Sequence, residues 1–276
     1  MSQVEDIVRK IIETSPAGND EIIVNDIKSL LNNSDSNKLI SKLFNEQYTK
    51  SLNEGGDIKL IRLNNGKYSI LSNYNYNRDY NKFFDINEEI QFNYDFINNK
   101  VIDIENELSS NITINEEINN LQKQLNEYLS ECYNDESIGM VIPFSEGYKI
   151  IIVGERLNDS NYYNGKWVSV YSYDNESKGL SNISKIKIHY YEDGNVLLNN
   201  IEESDNIGSF QINELINEIN KFDTSYETKI LKKINELNEN KFKNLRRLMP
   251  ISRAKIQWGK SIGNYKLGQN VIGGKY

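Results

Sequence analysis

The sequence predicts an α+β protein in which helices precede and follow an antiparallel sheet. Three observations carry this. Apolar residues recur at helical spacing through the first fifty positions, five strand-length runs lie between 138 and 201, and no Gly or Pro interrupts residues 209 to 249.

The first stripe comprises Val4, Ile7, Val8, Ile11 and Ile12, with Ser2 and Glu5 spaced as a capping box, and Pro16 and Gly18 in "SPAG" break it. A second stripe holds Ile23, Ile27, Leu30 and Leu31 and stops at Asn32 and Asn33; a third carries Leu39, Leu43 and Phe44. Helices this short do not form alone in water, so residues 1–50 are expected to pack as a helical bundle.

Between 58 and 94 the pattern shortens to strand-like pieces separated by turns such as "NNGKYSIL". Ile114, Ile118, Leu121, Leu125, Tyr128 and Cys132 then form one helical seam, which completes a 51–137 region of short strands and a connecting helix. Cys132 reads as a core residue of that seam.

Residues 138–204 hold the main sheet: "IGMVIPF", "YKIIIVGE", "KWVSVYSYD", "ISKIKIHYYE" and "NVLLNNI". Gly194 and Asn195 in "EDGN" make a tight hairpin, and sequential strands joined this closely are antiparallel. Trp167, Tyr171 and Tyr173 alternate with Val168 and Val170, so both faces require cover. Ile212, Leu215, Ile219, Phe222, Tyr226, Ile230, Ile234 and Leu237 mark a long helix within 205–249. About thirty helical residues span roughly 45 Å. Five strands are only about 24 Å wide, a mismatch that predicts extension of the sheet by a second chain.

Composition narrows the function classes. Of 276 residues, one is Cys and one is His, which excludes an internal disulfide framework and leaves a protein metal site to carboxylates. No run approaches the ~20 apolar residues of a bilayer span, so the chain reads as soluble, intracellular and not transmembrane. No phosphate-binding, dinucleotide, zinc-protease, serine-hydrolase or CxxC motif occurs. His189, between Ile188 and Tyr190 on a predicted strand, reads as packed on a sheet face, and no enzyme activity is expected.

The charge is distributed unevenly. The formal net charge is −8, yet residues 241–276 hold nine of the 32 Lys and Arg and no acid; without them 23 bases face 40 acids, a net −17. Lys/Arg at a helix end gain only ~0.3–1 kcal/mol each from the dipole. That does not account for so many cations without counter-charge, and a partner surface does.

Residues 188–200, "IHYYEDGNVLLNN", resemble the strand–turn–strand signature of the F-actin-capping protein alpha subunits, through His189, Tyr190, Tyr191, Glu192, Asp193, Gly194, Asn195 and Val196. A second family pattern is matched by Phe242, Lys243, Leu245, Arg246, Arg247 and Pro250, with Met249 where Leu is usual; "NGKW" at 164–167 and "SPAGNDEIIVNDIKSLLNN" at 15–33 also agree.

The resemblance implies an obligate heterodimer with a capping protein beta subunit, whose strands complete the sheet. It also implies an N-terminal stalk, a long helix across the sheet, and a C-terminal tentacle at 250–276. The implied function is calcium-independent capping of actin filament barbed ends in the cytoplasm and cell cortex, with no cofactor or metal.

By motif position the resemblance carries actin contacts onto Lys243, Arg247 and Arg253, with Arg246 and Lys255 beside them. Trp258, Ile262 and Tyr265 supply an apolar face for helix-in-groove docking. Gly259 and Gly263 each cost about 1 kcal/mol of helix, and an apparent extra residue in "IGNY" turns Leu267 by about 100°. The tail is therefore expected to contribute mainly charge, with a beta-subunit tail as a second contact that raises avidity. Acidic phosphoinositides would compete for Lys243, Arg247 and Arg253, and capping-protein regulators are further implied partners. Single-stranded nucleic acid, the remaining alternative, is disfavoured by the overall acidity.

Overall fold

The structure is a computed structural model that describes residues 3–31, 35–109, 112, 114–133, 136–144, 146–158, 160, 162–191 and 196–236, to which every structural statement refers. Ser2, Asn32 and Asn33, the Gly194–Asn195 turn and everything after 236 lie outside them.

Helices α1 (Gln3–Thr14), α2 (Asp20–Leu31) and α3 (Ser36–Thr49) pack as a bundle. The first two helices bury only part of their apolar surface within the chain: Val8, Ile12, Val24 and Ile27 are buried, whereas Val4, Ile7, Ile22 and Leu30 are exposed. The turn between α1 and α2 calls for glycine by its backbone. Gly18 has φ +79°, and a Cβ there would meet the Leu157 side chain at 2.7 Å.

The chain then makes a hairpin, β1 (Lys59–Arg62) with β2 (Tyr68–Leu71), and a four-stranded sheet of β3 (Tyr76–Asn77), β4 (Lys82–Asp85), β5 (Ile90–Asp95) and β6 (Lys100–Glu105). Strand structure thus continues past the 58–94 region that turn patterning singles out. Phe83, Phe92, Phe96 and Val101 of this part share one core with Ile40, Leu43 and Phe44 of α3.

Helix α4 (Glu116–Cys132) begins where the Asn115 side chain accepts a hydrogen bond from the Ile118 N–H at 2.8 Å. It lies so close to the main sheet that a Cβ on Gly139 would sit 2.6 Å from a Leu125 methyl.

The main sheet comprises β7 (Ser137–Phe144), β8 (Gly147–Asn158), β9 (Tyr163–Asp174), β10 (Leu180–Tyr190) and β11 (Val196–Ile207), paired in sequence and antiparallel throughout. One face carries Ile150, Ile152, Trp167, Tyr171, Ile186 and Ile188 against α4 and α5. The other packs Ile151, Val153, Val168 and Val170 on Ile70 and Phe84 of the smaller sheets and on Ile58 just before β1.

Helix α5 (Leu215–Glu236) is described over 22 residues, about 33 Å at 1.5 Å per residue. It starts later than the apolar spacing suggests, because the preceding segment is bonded to the sheet. The Phe210 N–H donates to the Lys178 carbonyl at 2.8 Å, and the Tyr173 hydroxyl donates to the Phe210 carbonyl at 3.0 Å.

Candidate functional site

Strand β11 is an open edge: it pairs only with β10 among the described residues, leaving one side of a 12-residue strand without a ladder partner. Its side chains alternate. Asn200 and Glu202 face α5, where the Asn200 amide donates to the Tyr226 hydroxyl at 2.9 Å, Lys233 donates to Asn200 at 2.7 Å, and Lys229 pairs with Glu202. The last turns of α5 therefore lie over the edge strand itself. The opposite face presents Leu197 at 48% and Ile201 at 52% exposure, beyond the cover the smaller sheets provide.

The hairpin signature maps onto the strand ends flanking this edge. His189 and Tyr190 are buried on β10, Val196 opens β11 opposite Tyr190, and the His189 ring stacks on Tyr191 at 4.8 Å. Tyr191 also meets Tyr162 edge-on at 5.6 Å, and its N–H bonds the Tyr162 carbonyl at 3.0 Å. Glu192, Asp193, Gly194 and Asn195 lie outside the described residues, as do Lys243, Arg246, Arg247, Arg253, Lys255, Trp258, Ile262, Tyr265 and Leu267.

Two buried polar clusters hold this surface in place. In the first, Asp57 bonds the Lys187 ammonium at 2.6 Å and faces Lys166 at 3.6 Å, while Lys166 reaches Glu155 at 3.4 Å. Beside it, Asp20 of α2 pairs with Lys59 and accepts from the Tyr48 hydroxyl of α3. These groups line a cavity of about 260 Å³ between the helical bundle and the sheet. Burial opposes ionisation of Asp57, but Lys166 and Lys187 overcome it and hold the carboxyl far below its usual range. Apolar alternation misses these residues. Lysines at 166, 185 and 187 on strands with two covered faces are the signal that could have found them.

In the second cluster, Asp223 of α5 accepts hydrogen bonds from the hydroxyls of Tyr128 at 2.8 Å, Tyr133 at 2.9 Å and Tyr171. This joins α5 to α4 and β9. Burial pushes the Asp223 carboxyl up to about 6, despite the hydroxyls that favour its ionised form. A raised folded pKa contributes stability below the unfolded value that is lost as pH rises through about 6. The stability of wild type relative to Asp223→Asn is accordingly expected to increase by about 1.4 kcal/mol between about pH 8 and pH 5, and by about 3 kcal/mol only once the pH falls below the unfolded value near 3.9. Denaturant titration of the assembled protein at each pH measures it, and a flat difference would remove this role.

Burial also pushes the Cys132 thiol up, so it stays protonated near neutral pH. No described helix is long and apolar enough to cross a membrane.

Fold and edge together define a class: an α+β chain whose antiparallel sheet is backed on both faces but ends on an unpaired strand overlain by a long helix. The model of the F-actin capping protein alpha subunit family matches residues 8–270, so the chain belongs to that family. It is 33% identical over 271 residues to an F-actin-capping protein subunit alpha of Candida glabrata, covering 98% of this chain and 97% of that protein. The corresponding protein of Debaryomyces hansenii is 34% identical over 277 residues, covering 99% of this chain and 98% of that one. That of Saccharomyces cerevisiae is 31% identical over 278 residues, covering 99% of each. Among solved structures, a homodimeric actin capping protein alpha subunit from Plasmodium berghei shares the fold, with TM-score 0.63 and 16% identity over 91% of this chain and 98% of that one.

Proposed function

We propose that this chain is the alpha subunit of a heterodimeric actin-capping protein, which binds filament barbed ends and blocks subunit addition and loss without calcium, in the cytoplasm and cortex. The observation that carries this is the open β11 edge with the last turns of α5 lying over it. A partner sheet added at β11 would satisfy the unpaired backbone groups, cover Leu197 and Ile201, and give α5 a surface to continue across. The exposed Val4, Ile7, Ile22 and Leu30 of the bundle offer the same partner a second apolar contact.

The chemistry is one of binding. Lys243, Arg247 and Arg253 steer the acidic actin surface, with Arg246 and Lys255 beside them. Trp258, Ile262, Tyr265 and Leu267 add apolar contact. Phosphoinositide headgroups compete for Lys243, Arg247 and Arg253, which makes membrane binding and capping mutually exclusive.

Expressed alone, the chain is expected to aggregate through its open edge; co-expressed with a beta subunit, it is expected to be soluble. Size-exclusion chromatography of the two preparations checks this. The purified pair is then titrated against pyrene-labelled actin seeds. No slowing of barbed-end growth at nanomolar protein would overturn the proposal.

A further inference from the structure

Strand alternation places Lys185 and Lys187 of β10 on the face away from α5, with Lys185 directly opposite Ile201 of the edge strand and Lys187 opposite Asn199. The buried carboxylates near this face are already engaged. Asp57 serves Lys187 and Lys166, Glu155 serves Lys166, and Asp20 serves Lys59. Lys185 makes no hydrogen bond or ion pair, although it is partly buried. Burial lowers its ammonium below the usual lysine range; Asp57 offsets this in part, while Lys187 and Lys166 add to it. Glu203, opposite Ile183 on the same face, is exposed and makes no hydrogen bond or ion pair with it.

Lys185 is thus a partly desolvated cation with no carboxylate at hydrogen-bond distance among the described residues, one strand in from an unpaired edge and opposite the exposed Ile201. A half-buried ammonium is stabilised by a carboxylate at hydrogen-bond distance, and none of the described residues supplies one. A strand added outside β11 lies two strand spacings from β10, about 10 Å. That gap is within the combined reach of a lysine and a glutamate side chain laid over Ile201.

We infer that the partner subunit completes this face with an apolar segment that covers Leu197 and Ile201 and carries a carboxylate to Lys185. The inference rests on the heterodimer proposed above and deepens it by naming the chemistry of the partner surface. The ion pair selects the partner and its register, because a slipped strand leaves both charges buried and unpaired.

The test is subunit association, measured by exchange of labelled alpha chains between heterodimers formed with a capping protein beta subunit. Lys185→Met is expected to weaken association at least tenfold, because it leaves the partner's carboxylate unpaired. Lys185→Glu is expected to weaken it further, Lys185→Arg to retain it, and Glu203→Gln to leave it unchanged. Independently of any variant's folding, the ¹³C-dimethylated Lys185 signal of the wild-type heterodimer should titrate above the ordinary lysine value of about 10.4. Association of Lys185→Met as tight as wild type would overturn the inference and leave the heterodimer standing. So would a loss reproduced by Glu203→Gln, which would assign the counter-charge to this chain. Failure of the wild-type chain to pair would overturn both.

Discussion

Replacing Lys243, Arg247 and Arg253 together by Ala is expected to weaken barbed-end capping by about 100-fold, while the heterodimer still assembles. Each rim cation facing an acidic partner contributes roughly 1 kcal/mol, and three give about 3 kcal/mol, which is about two decades of affinity. The loss should fall mainly on the association rate and shrink as salt rises through the range where the Debye length drops below about 10 Å. Seeded pyrene-actin elongation at two ionic strengths measures it. A triple variant that fails to pair with the beta subunit would instead make these residues structural, as cations at the end of a long helix.

Replacing Asp57 by Ala is expected to cost about 3–5 kcal/mol, because it leaves the buried Lys166 and Lys187 without their shared counter-charge. The folded pKa of Asp57 is depressed, so its contribution is present above the unfolded value near 3.9 and lost as pH falls towards the folded one. Wild type and Asp57→Ala should therefore converge in strong acid. Asp223 acts in the opposite sense and at higher pH, since its folded pKa lies at about 6. On acidification the protein first gains stability from Asp223 and then loses it from Asp57. Denaturant unfolding of the heterodimer across pH checks the order. A loss well below 1 kcal/mol for Asp57→Ala would mean that water, and not the carboxylate, solvates the two lysines.

Much of the fold is legible in the chain because burial imposes periodicity. Val8 and Ile12, Leu43 and Phe44, and Leu121 and Leu125 are core residues at helical spacing, while Val168 and Val170 against Trp167 and Tyr171 mark a strand with two covered faces. Antiparallel order followed from tight turns. Less legible were elements whose bounds depend on single hydrogen bonds. The start of α5 is set by Phe210 and Lys178, which no pattern in the helix reveals. The clusters around Asp57 and Asp223 were missed for the same reason. They join residues far apart in sequence, and an isolated Asp in an acidic chain carries no local mark of burial.

The amino-acid sequence by itself determined the element types, the antiparallel hairpins, the membership signature at His189–Val196 and the basic charge of the C-terminal segment. Each is a property of neighbours along the chain. Only the tertiary structure decided that Asp223 joins α5 to α4 and β9, that Asp57 ties the region after the bundle to the sheet, and that Lys185 finds no hydrogen-bonded carboxylate among the described residues, one strand in from an open edge. Those outcomes depend on which distant residues share one desolvated volume, and in such a volume a charge must find its counter-charge or wait for another chain to bring it.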